Sequence, residues 1–268
     1  MYRQPCLMFL KHVIEYIISF FEVRPLLKVL MFDLDGTLLP LDFDLFFHKY
    51  FETIAPYFQE IIEPAIFVKK LMASTYDMIN NPGQFTNEQV FMDSFLPAIR
   101  QNKDTMYPLF EKFYEEEFPK LKKYAGYSQW SAQAIQKALD KGYRICLATN
   151  PVFPRRAIEH RMSWAGIERF PWEFVTTYEN SYGCKPNPAY YKGICRVLKV
   201  TPKECLMVGN DVQEDLVAQT LGMKTFLVTD YLIDRGEPRY EPDYRGSLEE
   251  LYNFMCGLPN NPGENKLI

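Results

Sequence analysis

Five short apolar runs constrain this chain more than any other feature. They are Val29–Asp33 (VLMFD), Tyr143–Ala148 (YRICLA), Phe174–Thr177 (FVTT), Cys205–Val208 (CLMV) and Thr225–Val228 (TFLV). Each is too short for a helix and reads as a buried strand. Helical patterns at 128–141, 154–165, 188–199 and 212–221 separate the later runs. Strands alternating with helices imply right-handed βαβ units and a parallel sheet covered on both faces. The expected fold class is therefore α/β, a three-layer Rossmann-like parallel sheet core.

The first and second strands are far apart in sequence, and residues 41–125 between them show little strand-like alternation. Helices are expected there at Phe43–Phe58, Glu60–Ala73, Asn87–Arg100 and Thr105–Phe118, the third opened by a capping box, Thr86-Asn-Glu-Gln89. The predicted organisation is an extension at 1–27, an α/β core from 28–40 and 126–255, an inserted helical domain at 41–125 and a frayed tail at 256–268. Residues 7–23 are strongly apolar, but Lys11, Glu15, Ser19 and Glu22 interrupt them at helical spacing. That pattern fits an amphipathic helix packed on the domain or on another chain; peripheral membrane contact is the weaker alternative. The charges argue against a signal peptide or a spanning helix.

A net charge of −4 argues against a general nucleic-acid binder. The cysteines Cys6, Cys146, Cys184, Cys195, Cys205 and Cys256 form no C-x-x-C pair, which disfavours zinc and fits reduced thiols in a cytoplasmic enzyme. Cys184 reads better as a small buried residue than as a reactive thiol. His12, His48 and His160 sit in no ligand-like pattern, so the chemistry should not rest on histidine.

Ligands of open parallel sheets bind at the carboxyl ends of the strands. The polar residues expected there are Asp33 and Asp35, Thr149 and Asn150, then Asn210 and Asp211, with Lys185 in a loop before a helix. Acids crowded with few basic neighbours suit a hard divalent cation such as Mg²⁺. Taken singly, each has a plain structural explanation: a turn, a helix cap, a solvated lysine. Their joint order along the strand ends makes coincidence a poor account.

DLDGTL, a strand ending in Thr149, Lys185-Pro186, and GND with a further acid at Asp215 together resemble the haloacid dehalogenase (HAD) superfamily of phosphohydrolases. The insertion after the first motif resembles that family's α-helical cap between motifs one and two. The resemblance implies a Mg²⁺-dependent phosphatase of small phosphorylated metabolites. In it, Asp33 is the nucleophile and Asp35 the proton carrier, whose backbone carbonyl also touches metal. It further implies that Thr149 and Lys185 hold the phosphoryl group, with help from Gly36, Thr37 and Asn150. Asp33, Asp35, Asn210 and Asp211 form the metal side, backed by Asp215. Asp35 favours phosphoryl transfer over carbon–halogen cleavage, because dehalogenating members lack that second acid. One departure stands out: Asn210 occupies the place of the usual metal-binding acid, so either its carbonyl or the Asp211 carboxylate would serve. A phosphomutase and a weakly active binding or scaffold protein are the alternatives. Phe43, Phe46, Phe47 and Tyr50 are candidate substrate contacts. Substrate identity and oligomeric state stay open.

Overall fold

The structure, a computed structural model, describes residues 27–261. The amphipathic helix expected at 7–23 lies outside the described residues. The chain forms β1 (Val29–Phe32), β2 (Arg144–Leu147), β3 (Phe174–Val175), β4 (Cys205–Gly209), β5 (Lys224–Val228) and β6 (Tyr244–Gly246). All pair in parallel in one sheet of order β3-β2-β1-β4-β5-β6. Successive side chains of a strand point to opposite faces. Leu30, Phe32, Ile145, Leu147, Leu206 and Val208 accordingly join one core, whereas Val29, Met31, Cys146, Cys205 and Met207 join another. Two buried faces explain why these strands read as continuous apolar runs.

Helices close both faces. α5 (Gln129–Asp140), α6 (Arg155–Trp164) and α9 (Leu248–Gly257) pack with the first core, and α7 (Pro188–Leu198) with the second. Asn187 caps α7 through the Ala189 amide, and Pro188 supplies its first turn. α8 (Val212–Asp215) is a single turn continued as 3₁₀ helix to Leu221, where one helix was expected.

The segment between β1 and α5 is helical: α1 (Phe43–Tyr57), α2 (Pro64–Ile79), α3 (Asn87–Ala98) and α4 (Lys103–Lys112). α2 starts later than expected because Glu63 accepts the Ala65 and Ile66 amides and Pro64 begins the first turn. α4 stops at Lys112. A π turn at Phe113–Glu117 and a 3₁₀ turn at Phe118–Tyr124 follow, with Pro119 barring a regular continuation. The segment is held by rings: Phe58 stacks on Phe67 at 4.8 Å, Phe67 meets Phe95 edge-on at 5.6 Å, and Phe95 lies 5.9 Å from Phe110. Its core is continuous with the sheet's through Phe46 and Phe118 against Trp164. Buried Asn87 is the polar joint. Its side-chain amide reaches the Pro151 and Gly183 carbonyls at 3.1 and 3.2 Å, binding the helical segment to two strand-end loops.

β6 and α9 escaped the sequence reading: β6 has three residues, two of them exposed, and gives no apolar run. Residues 258–261 do not fray. The Lys141 side chain bonds the Leu258 carbonyl, Tyr143 bonds that of Pro259, and the Asn261 amide bonds the Lys141 carbonyl at 2.7 Å.

Candidate active site

The carboxyl ends of β1, β2 and β4 bring together Asp33, Asp35, Thr149, Asn150, Lys185, Asn210, Asp211, Glu214 and Asp215 around one pocket. Parallel register causes this: Phe32 lies beside Leu147 on one side and Val208 on the other, so the residues after each strand end at one level.

Lys185 is the electrostatic centre. Its buried ammonium donates to Asp33 Oδ1 at 2.8 Å and Asp215 Oδ1 at 2.6 Å. Burial alone would lower the pKa of Lys185, but Asp215 and Asp33 outweigh it and hold the value well above normal, so the lysine stays charged. Asp215 is fixed further by the Asp211 amide on Oδ2 at 3.0 Å. A Cβ on residue 209 would run into the Asp215 carboxylate, so Gly209 is what lets that acid approach β4.

Asp35 is held differently. Arg161 of α6, itself buried, pairs with Asp35 Oδ2 and lies 4.5 Å over the Phe153 ring. Asp35 Oδ1 and Arg161 Nη2 are both buried without a partner among the described residues. Burial raises the Asp35 pKa, with Arg161 opposing and Asp33 adding to the rise. Glu214, bonded by Asn150 Nδ2 at 3.0 Å, is pushed up to about 7 by burial and by Asp211.

Thr37 Oγ1 faces Asn210 Oδ1 at 2.9 Å and Asp33 Oδ2 at 3.2 Å. One hydroxyl proton serves two acceptors, so one of those oxygens lacks a donor. Asn150 Oδ1, on the same pocket, is also buried and unpartnered. Oxygen donors short of protons fit a hard cation such as Mg²⁺, which commonly keeps several waters. Among the described residues no group of three or more His, Cys, Asp or Glu side chains is placed to hold a metal. Asp211 is engaged elsewhere: its Oδ1 caps α8 through the Gln213 and Glu214 amides, and both its oxygens bind Arg235 at 2.8 and 2.7 Å.

The amides of Gly36 and Thr37, expected among the phosphate donors, are bonded instead to the Leu39 and Leu34 carbonyls at 2.8 and 3.2 Å. Gly36 keeps a structural reason: its φ is +77°, and a Cβ there would strike the Asn210 amide. Of the candidate substrate contacts, only Phe43 lines this pocket; Phe46 is fully buried against Phe47, Phe118 and Trp164. Tyr50 is likewise buried, its hydroxyl 2.9 Å from that of Tyr114. Burial pushes the Cys184 thiol up to about 12, which fits a small buried residue.

Sequence reasoning missed Arg161 and Arg235 and gave Glu214 no part in the chemistry. A signal for Arg161 existed, since it shares a helix face with Ala157, Ile158 and Met162, and a charge inside an apolar stripe needs a partner. Arg235 lies in an irregular loop, and nothing local marks it.

The model of the haloacid dehalogenase-like hydrolases matches residues 27–218. The pyrophosphatase PpaX of Bacillus cereus is 22% identical over 219 residues, which cover 81% of this chain and 91% of that protein. A HAD phosphatase from Thermococcus onnurineus superposes with a TM-score of 0.57 at 17% identity, over 88% of this chain and 100% of that one. The HAD-hydrolase YfnB of Bacillus subtilis, solved bound to magnesium, gives 0.51 at 17% identity over 86% and 99%.

Proposed function

Because this chain belongs to the haloacid dehalogenase-like hydrolases, we propose that it hydrolyses small phosphomonoesters through an aspartyl-phosphate on Asp33, with Mg²⁺ as cofactor. The observation that carries this reading is the pair of unlike carboxylates at the end of β1. Asp33 is buried and gripped by a charged lysine, whereas Asp35 is partly buried, biased toward its protonated form and has an oxygen without a partner among the described residues.

The Asp33 carboxylate attacks phosphorus, an oxygen–phosphorus bond forms, and the ester oxygen departs with the proton of Asp35. Water then attacks phosphorus, returns a proton to Asp35 and frees inorganic phosphate and the Asp33 carboxylate. Lys185 and Thr149 steady the phosphoryl oxygens, where charge spreads in the transition state. Arg161 keeps Asp35 aimed into the site. Asp33, the main chain of Asp35 and the Asn210 amide oxygen would hold Mg²⁺, with Asp211 behind them; bound there, the ion would offset repulsion between the carboxylate and the phosphate. The helical segment 41–125 acts as the cap over this centre, a role supported by its place between the first two motifs and by the Asn87 joint.

The test is phosphate release from an aryl phosphate with Mg²⁺ and with EDTA. Wild type should turn over only with Mg²⁺, and Asp33→Asn should lose at least about a thousandfold, since no nucleophile remains. No Mg²⁺-dependent release from any phosphomonoester would sink the proposal. Isomerised sugar phosphate in place of free phosphate would identify a mutase instead.

A further inference from the structure

An apolar slot borders the catalytic pocket. Phe47, Phe51, Leu71, Met72, Phe91 and Phe153 are among the residues that line it, and among the described residues the lining contains no lysine, arginine, histidine or acid. Its free volume of about 60 Å³ is narrow. Its polar atoms are few: the Tyr50 and Tyr114 hydroxyls, which bond each other at 2.9 Å, and those of Thr75 and Tyr178.

The slot lies beside the site, and no residue lines both. Phe43, which lines the catalytic pocket, lies 4.4 Å from Phe47 in the slot, ring centre to ring centre. Asn150 of the pocket and Val152 and Phe153 of the slot belong to one loop. Phe153 also carries the Arg161 guanidinium that grips Asp35.

Charge around the site narrows the choice of guest. Among the described residues every basic side chain that reaches the reacting centre already has a carboxylate: buried Lys185 has Asp33 and Asp215, buried Arg161 has Asp35, and half-exposed Arg235 has Asp211. A second anionic group on a substrate would have to displace one of these, and an uncompensated buried charge is costly. The outer end of the slot meets a cleft of mixed charge, where Glu88, Glu111, Glu115 and Glu116 stand beside Lys112, Arg155 and Arg156.

Resting on the proposed phosphomonoesterase activity, we infer that the slot takes the leaving group of the substrate, and that this group is a slender, neutral alkyl chain with no second anionic group. The phosphate sits at the strand ends while the chain runs past Phe43 and Phe47 between the helical segment and the core. Binding follows from apolar area removed from water in a preformed slot.

The experiment is kcat/KM for methyl, propyl and hexyl phosphate with Mg²⁺, with 6-phosphonooxyhexanoate as the anionic counterpart of the hexyl ester. Values should climb by about threefold per methylene, and the terminal carboxylate should remove most of the gain. Met72→Glu, at a half-exposed position on the slot, should flatten the climb without changing the melting temperature. Thr75→Lys, also in the lining, is a second variant and should restore some turnover of the carboxylated ester. Turnover without chain-length dependence would overturn this inference and leave the phosphomonoesterase reading standing. So would a climb that survives Met72→Glu, or a carboxylated ester that Thr75→Lys turns over no better than wild type. No turnover of any ester would overturn both readings.

Discussion

The strand-end site and the helical segment bury different things. The site buries charges: Lys185, Asp33, Asp215, Arg161 and Asp35 lie within a few ångströms of one another. The segment between β1 and α5 buries rings, with Phe58, Phe67, Phe95, Phe110 and Phe113 forming its centre. Ring burial stabilises roughly in proportion to area. Charge burial stabilises only while every partner is present, because each ion is costly without its counter-ion. The site is thus an all-or-none unit, and the segment is a sum of parts.

The sharpest way to break this contrast is at Lys185. Lys185→Met should cost up to about 5 kcal/mol in urea unfolding, since it strands two buried carboxylates. Adding Asp33→Asn and Asp215→Asn to the same chain should recover much of that loss. If the triple variant were instead the least stable, the all-or-none description would be wrong. Phe58→Ala tests the other region; a cost of about 3–4 kcal/mol is expected, with no partner change able to rescue it.

Glu214 shows how a titrating group belongs to the site rather than to the sum. Its pKa is raised from 4.5 to about 7 in the folded chain. The folded state therefore keeps a proton that the unfolded chain sheds, so stability falls as pH rises from about 4.5 to 7, and the loss is complete above that window. Glu214→Gln in EDTA should leave the melting temperature near wild type at pH 4 and raise it at pH 8. The gain there is at most about 3 kcal/mol. An equal effect at both pH values would show that Glu214 is not buried as an acid. A smaller effect is expected at the joint. Asn87→Ala should cost about 2 kcal/mol by unpairing buried carbonyls, and hydrogen exchange should quicken in the Pro151 and Gly183 loops. Protection unchanged in both loops would mean that the Asn87 side chain does not hold them, and that the Asn87 and Glu88 amides on the Ser181 and Tyr178 carbonyls suffice.

Much of this architecture is legible in the chain itself. The apolar runs mark β1, β2, β4 and β5 to within a residue or two, because a strand buried on both faces must be apolar throughout. Thr86 and Gln89 do form the expected capping box, with Thr86 Oγ1 accepting the Gln89 amide at 3.2 Å. Elements resting on tertiary support are harder to read. β6 is recognisable only beside β5, and the residues after α9 only where Lys141 and Tyr143 hold them.

The sequence by itself determined which residues end the strands. Strand and helix periods are local, and a parallel sheet then sets those ends at one edge, placing Asp33, Asp35, Thr149 and Asn210 together. Only the tertiary structure decided how the charges are shared. Arg161 meets Asp35 across 126 positions, Lys185 meets Asp33 across 152, and Arg235 takes Asp211 out of the obvious metal set from 24 residues away. No local pattern encodes such partners, because a buried charge is satisfied by whatever the packed fold brings within hydrogen-bonding reach.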